Sequence, residues 1–420
     1  MRGALAAAAV AAVLCGSTTG RADDAGEPAA LSPPRLGARL SGGYWSGSRT
    51  LDDRASFLVT RLDVKGDAQL AAVAAVHFEG RVWNQDALDG EQDTQGQMRE
   101  LWLELQPSES FDVRVGKQYM TWGRADGINP TDLINGSDLT ALVVDDSDRK
   151  LGSWVLKATK ELGRSSVSAL WLLNFVPSVL PLPPIGGGIS ISQQLPSEGF
   201  RQGAIKVERT GGYVDASLCY FEGFDHTPDM TLAGTAITLF YPRLKVVGGD
   251  VAKNWGRFGL RAEGSYTFQG NAGVPPFPPR QNVVAVVVGV DRSWFEYLNI
   301  NVQYLGRYLT RFDDPKAISD PTVRSFAILR SLLIQQQSRL QNGMSARVSY
   351  KWFHETLEAE VHGVTWIEGG DFVISPRATY AINDNLKLSI GADVYRGPAD
   401  SVFGLLRANS LEFGELGYSF

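Results

Sequence analysis

Charged side chains recur through this chain at alternate positions, each between apolar neighbours. Arg61 and Asp63 alternate with Leu58, Thr60, Leu62 and Val64, and Glu100 and Glu104 flank a run in which Leu101, Leu103 and Leu105 alternate with Trp102 and Glu104. Asp112 and Arg114 separate Phe111, Val113 and Val115, while Glu358 and Glu360 separate Leu357, Ala359 and Val361. Lys387 and Asp393 oppose Leu386, Leu388, Ile390, Ala392 and Val394, and Arg261 and Glu263 extend the set. A period of two places these charges on one face of extended strands. Mixed charge on a shared face suits a hydrated path for a polar solute; any one pair equally suits an ion pair that stabilises a wall. Catalysis is not indicated. The four histidines, His77, His226, His354 and His362, are widely spaced and form no HExxH pattern. No catalytic residue, metal or cofactor is expected. Asp145-Asp146-Ser147-Asp148 lacks an EF-hand loop and reads as a solvated acidic turn.

The elements that must carry this face are strands of roughly ten residues, alternating apolar and polar as in membrane-spanning barrels. Starts fall near residues 37, 54, 69, 97, 109, 152, 164, 201, 212, 236, 257, 281, 297, 338, 355, 371, 385 and 407, which makes 18. Termini on one side of a membrane require an even count, so 16 and 20 are the alternatives to about 18. Tight connections at Lys65-Gly66-Asp67, Pro107-Ser108-Glu109, Glu161-Leu162-Gly163, Gly211-Gly212, Asp291-Arg292-Ser293 and Ile382 to Asn385 then share the periplasmic side. Long connections near 84–96, 119–151, 174–200, 222–235, 269–280 and 310–337 fall outside. Asn342-Gly343 has hairpin chemistry, but parity favours a long outer segment, helical over Val323 to Gln336, followed by a single strand. Tyr266, Phe268, Trp294, Phe295, Tyr297, Tyr380 and Tyr395 lie near strand ends, as at membrane interfaces. The fold class is therefore all-β: a transmembrane antiparallel β-barrel with long extracellular loops and short periplasmic turns. A soluble barrel has the same period with its apolar face inside.

Met1-Arg2, the apolar run Ala4 to Leu14 and Gly20-Arg21-Ala22 read as a secretory signal peptide over 1–22. Residues 23–36 form a short periplasmic N-terminal segment, and 37–420 the barrel. Cleavage after Ala22 leaves Cys219 alone, so no intramolecular disulfide forms. With 40 Lys and Arg against 46 Asp and Glu, and no basic stripe, nucleic acid is excluded as a partner. The longest informative connection begins Lys117-Gln118-Tyr119-Met120-Thr121-Trp122-Gly123-Arg124 and continues through Asp126, Asp132 and Asp148. Its length, glycines and Asn129-Pro130 suit a folded insert that constricts the lumen, with Arg124 pairing Asp126 or Asp132.

The ending Leu416-Gly417-Tyr418-Ser419-Phe420, with Tyr418 and Phe420 on one side of the period, resembles the assembly signal of Gram-negative outer-membrane barrels. Gly116-Lys117-Gln118, Trp122-Gly123 and Asn129-Pro130-Thr131-Asp132 together resemble barrels related to the alginate and exopolysaccharide export porins. The resemblance implies a cell outer-membrane location amid lipid and lipopolysaccharide, folding by the barrel assembly machinery, and work with periplasmic export partners. It implies export of a polysaccharide through a polar, loop-gated lumen, and the mixed charge argues for a neutral or mildly charged polymer. The alternative is a general or substrate-specific porin for uptake of small or hydrophobic solutes. An apolar internal patch and a lateral opening would mark the hydrophobic case.

Overall fold

The computed structural model describes residues 33–47, 56–87, 92–181, 188–270 and 275–420. The leader expected over 1–22 lies outside these residues. Eighteen strands form the wall. They are β1 (Arg35–Gly47), β2 (Ser56–Ala71), β3 (Ala74–Ala87), β4 (Gln92–Ser108), β5 (Phe111–Gln118) and β6 (Ser153–Leu162). Next come β7 (Ser165–Leu172), β8 (Gln202–Arg209), β9 (Asp215–Phe224), β10 (Arg243–Trp255), β11 (Phe258–Gln269) and β12 (Val283–Trp294). The last are β13 (Leu298–Leu309), β14 (Leu340–Trp352), β15 (Leu357–Trp366), β16 (Asp371–Ala381), β17 (Leu386–Arg396) and β18 (Leu411–Ser419).

Each strand pairs antiparallel with its chain neighbours, and β18 returns to β1. Closure reaches the last residue: the Phe420 N–H donates to Ala38 O at 2.9 Å and the Ala38 N–H to Phe420 O at 3.0 Å. A closed ring leaves no strand edge in hydrocarbon, where an unpaired N–H or C=O costs several kcal/mol. Alternation settles which face meets lipid. Along β2, Leu58 and Leu62 are exposed outward while Phe57, Val59 and Arg61 are buried inward; Leu388, Ile390, Leu416 and Tyr418 are likewise exposed. Trp255, Phe295, Trp352 and Tyr380 ring the turn end and Trp154, Trp171, Phe268 and Tyr308 the opposite end, which is the aromatic girdling of a membrane barrel. The protein is an outer-membrane barrel. Tyr395 departs from the expected girdle: it occupies an odd position of β17, shared with buried Ser389 and Asp393, and faces the interior.

Several boundaries differ from the expectation. Lys65-Gly66-Asp67 lies within β2, because the alternation continues to Leu70, and the turn falls at Ala72-Val73. Asp291-Arg292-Ser293 lies within β12. Asn342-Gly343, in contrast, falls inside the single strand β14 that parity favoured over a hairpin. Residues 92–96, expected outside, belong to β4. The segment beginning at 236 is not wall. Ala236–Phe240 pairs with Asp229–Ala233 and Ser190–Gln194 in a separate three-stranded sheet among the outer loops. The helical expectation over 323–336 is met by α1 (Pro321–Leu333), capped by the Asp320 side chain, which accepts from Thr322 N and Val323 N. Arg330 of α1 binds Asp229 through two bonds of 2.5 and 2.8 Å and donates to Pro278 O, so α1, the small sheet and the 275–282 segment form one roof.

Gly116 has φ +143°, and a side chain there would collide with the Leu101 carbonyl and with Trp102. This glycine opens the Gly-Lys-Gln end of β5, where the chain turns inward. Replacing Gly116 with Val is expected to lower stability by about 1–3 kcal/mol, read as a reduced midpoint of urea unfolding in detergent.

Candidate functional site

The segment between β5 and β6 does not stay at the mouth. Its first half runs to β11 and its second half to β2, which lies nine places from β11 in either direction round the ring of 18. The insert therefore spans the lumen along a diameter. One anchor is the buried Glu263 of β11. Its carboxylate accepts from Arg124 N (2.9 Å), Ala125 N (3.1 Å), Thr131 N (2.8 Å) and Thr131 Oγ1 (2.7 Å). Gly123 precedes this contact with φ +85°, and any Cβ would strike the same carboxylate. The Trp-Gly pair of the motif is thus a close approach of backbone to Glu263.

Arg124 does not pair with Asp126 or Asp132 as expected. It donates to Asp250 of β10 at 2.6 Å and to Glu208 of β8 at 2.6 Å. Asp126 instead meets Arg347 of β14 at 3.1 Å, and Asp132 meets Lys150 at 2.6 Å. Arg124 and Asp126 find wall partners because the insert is extended across the lumen, whereas Asp132 is held within the insert by Lys150. Trp122 and Ile134 bury against Val155, Leu170, Phe221 and Val246 on the inner face of β6 to β10. Burying a side chain the size of Ile134 is worth about 1.5–3 kcal/mol, so packing and ion pairs act together.

At the far wall the donors are arginines. Arg61 donates to Leu142 O at 2.6 Å and Arg377 to Val144 O at 2.5 Å. Asp146 lies 3.2 Å from Arg377 and 2.8 Å from Arg149; Asp148 lies 2.9 Å from Arg81 and 3.1 Å from Arg99. Asp146 and Asp148 thus anchor the Asp145 to Asp148 run to a basic wall, while Asp145, Asp146 and Ser147 stay exposed as in the expected solvated acidic turn. Burial alone would raise the Asp146 carboxyl, but Arg149 and Arg377 outweigh it and hold the group below the ordinary aspartate value. Leu142 packs among Trp45, Phe57, Val59 and Phe413.

The other expected lumen residues divide into two groups. Asp63 pairs with Arg81 at 2.5 Å, Glu360 approaches Arg347 at 3.5 Å, and Asp393 lies 3.6 Å from Arg149 and 3.8 Å from Arg377, all near the insert. Arg261 meets Asp291 at 3.2 Å, and its guanidinium also reaches Arg124 O. Glu104 and Arg114 pair with each other at 2.5 Å. Asp112, Glu358 and Lys387 are second residues of strands β5, β15 and β17, at the periplasmic mouth and away from the insert. Glu100 accepts from Tyr119 N at 3.1 Å where the insert leaves β5. His77, Glu79 and Glu100 place ligand-type atoms within 4.8 Å of one another, a cluster that strand spacing hides. Arg99 holds Glu79 at 2.6 Å and Asp67 holds His77 at 2.7 Å, so neighbouring side chains already engage it.

Sequence reasoning missed Arg81, Arg99, Arg377, Asp250 and Glu208. Alternation in β3, β8, β10 and β16 was available for four of them. Arg99 was not legible: Gly80 pairs with Met98 and Glu79 with Glu100, and this bulge turns Arg99 inward out of phase.

Above the insert lies a cavity of about 360 Å³. Its walls are Leu139 and Leu142 from the insert, Leu180 and Leu332 from the roof, and Val373 and Phe403 from the barrel side. Asp146, Arg149, His362, Asp393 and Tyr395 lie along its edge. The two carboxylates and the two guanidiniums, Arg149 and Arg377, neutralise each other.

No family model matches the sequence, and no curated protein matches it. Solved structures do. The chain is similar to Pseudomonas aeruginosa OpdK solved with vanillate, at 9% identity and TM-score 0.55, covering 92% of this chain and 98% of that one. It is similar to P. aeruginosa OccK5 (OpdH) at 9% identity and TM-score 0.54, covering 92% and 97%, and to OccD3 (OpdP) at 11% and 0.53, covering 93% and 91%. At these identities the likeness is one of fold. It nonetheless replaces the resemblance to alginate and exopolysaccharide export porins, which rested on the Gly116 to Asp132 motif alone. That motif describes how an insert leaves a strand and docks on a wall, not what passes. Polysaccharide export falls with it, since a polymer would have to thread past a segment pinned to opposite walls.

Two outcomes follow. Glu263→Ala removes the acceptor of four bonds, each worth about 1.5 kcal/mol or more when the acceptor is charged. Single-channel conductance is expected to rise at least about twofold with added gating noise. The folded value of Asp146 lies below its unfolded value, so its contribution is present above the unfolded value and is lost as pH falls through the folded one. Conductance is expected to rise on acidification below roughly pH 4, and Asp146→Asn is expected to bring that rise to neutral pH.

Proposed function

We propose that the protein is a selective outer-membrane channel for uptake of small amphipathic solutes with a largely apolar, uncharged body. The carrying observation is the cavity above the insert: apolar on most sides, and edged by cations and anions already paired with each other. A pocket of a few hundred Å³ with few polar groups suits one small molecule. A solute carboxylate would find Arg149 and Arg377 engaged by Asp146 and Asp393, whereas a hydroxyl or carbonyl can exchange bonds with His362 or Tyr395 at the cavity edge. The constriction selects by making every solute pass this surface before the lumen below. The similar OpdK structure holds vanillate, a molecule of suitable size, which supports the scale of the reading and supplies a probe. The apolar belt sets contact with lipid and lipopolysaccharide, and insertion by the barrel assembly machinery belongs to the same reading.

Equilibrium binding to the purified protein tests it. Vanillyl alcohol is expected to bind saturably, at least about fivefold tighter than vanillate and far tighter than glucose. Leu406→Trp, which fills the cavity, is expected to remove that binding while the barrel still shows heat-modifiable mobility on gels. Equal or reversed preference for vanillate contradicts the neutral reading.

A further inference from the structure

His77, Glu79 and Glu100 leave one demand on the lumen wall unmet. His77 and Glu79 share the inward phase of Arg81 on β3, and Glu100 of β4 lies opposite Glu79 in the register. No other such group of three occurs among the described residues. The imidazole is already oriented. Asp67 of β2 lies 2.7 Å from its Nδ1. A carboxylate only accepts, so Nδ1 carries the proton and the neutral ring presents its lone pair at Nε2. Trp102 stacks on the ring at 4.9 Å and 18° and fixes its plane. Nε2 is shut off from solvent and has no hydrogen-bond partner.

What Nε2 faces is another acceptor, Oε2 of Glu100, at 3.6 Å. Two lone pairs do not hold each other, so a cation belongs between them. A proton on Nε2 fits poorly, because an N–H···O bond spans about 2.7–3.2 Å. A metal ion fits better: ligands at about 2.0–2.2 Å in a tetrahedral arrangement stand roughly 3.4 Å apart. The carboxylates are steadied from behind. Glu100 accepts from Tyr119 N on Oε1 at 3.1 Å, and Arg99 lies 2.6 Å from Oε1 of Glu79, so each keeps its second oxygen. Arg99 is shared with Asp148, and Arg114 is taken by Glu104. The charges of Asp67, Glu79 and Glu100 therefore outweigh the one guanidinium against the cluster. A carboxylate on Nδ1 with Nε2 left open is the support by which proteins aim a metal-binding histidine.

We propose that His77, Glu79 and Glu100 bind one divalent ion of the zinc type on the inner wall. One imidazole with two carboxylates suits zinc, whereas calcium and magnesium take oxygen ligands. Water fills the remaining position. The ion ties β3 to β4 where the insert leaves the wall, because Glu100 also holds the amide of Tyr119, the first residue beyond β5. The site stands apart from the cavity above the insert and does not depend on the channel reading.

The test titrates zinc chloride into the purified, metal-stripped barrel in detergent, followed by calorimetry. The wild-type chain is expected to bind one zinc ion saturably, at micromolar affinity or tighter, and calcium chloride is expected not to displace it. His77→Ala and Glu100→Gln are each expected to weaken binding at least about tenfold, the least that loss of even an outer-shell partner commonly costs. His354→Ala, on an exposed turn, is expected to leave binding unchanged. No saturable binding by the wild-type chain would overturn the proposal. So would wild-type affinity in His77→Ala, or loss in His354→Ala alone, which would put the ion on the turn. If His77→Ala does not give a heat-modifiable barrel, zinc-edge X-ray absorption of the wild-type complex decides. One imidazole among oxygen ligands supports the site; oxygens alone, or several imidazoles, refute it.

Discussion

A backbone N–H or C=O removed from water must find a partner. The wall meets this requirement by closing β18 on β1, down to the bonds between Phe420 and Ala38. The insert meets it differently. Only Gly136-Ser137 pairs strand-like, with Lys150-Leu151, so elsewhere wall side chains serve its main chain: Glu263 for the amides of 124, 125 and 131, Arg61 for the carbonyl of 142, Arg377 for that of 144. Charged groups on the barrel interior are therefore chiefly receptors for a crossing segment. That is why they are mixed in sign, and why they leave little net charge for a solute.

This arrangement decides what kind of passage remains. Glu263, Asp250 and Glu208 hold one end of the insert, and the arginines of β2, β3, β4 and β16 hold the other. Between them Leu139 and Leu142 border the cavity, Leu142 from its packing on the inner wall, and most of that lining is apolar. On the proposed reading, selectivity comes from a surface built by the insert rather than from the bore of the barrel. The roof depends on its own buried pair, Arg330 with Asp229, which ties α1 to the small sheet.

The barrel was legible because it is local. Period-two alternation, as in Leu58 to Lys65, needs no knowledge of distant residues, and it fixed the strand number and the face of Arg61, Asp63, Glu263 and Asp393. Boundaries failed where turn-type residues sat inside strands, as at Gly66 and Asp67, or where a strand-like run such as Ala236–Phe240 found partners outside the wall. The site was legible only in outline. The segment from Trp122 to Asp132 announced an insert, but the partners of Arg124 lie 84 and 126 positions away on β8 and β10. No spacing rule reaches that far. The export reading erred by taking a docking motif for a sign of cargo.

Amide hydrogen exchange of the protein in bilayers, resolved at Arg124, Ala125 and Thr131, tests the pinned insert most directly. If the insert is a fixed bridge, these three amides exchange as slowly as those of β10 and β11 beside them, and in Glu263→Ala they exchange at the rate of exposed loops. Rapid exchange in the wild-type chain, matching the outer loops, would mean that the segment is not held across the lumen, and the account of selectivity would fail.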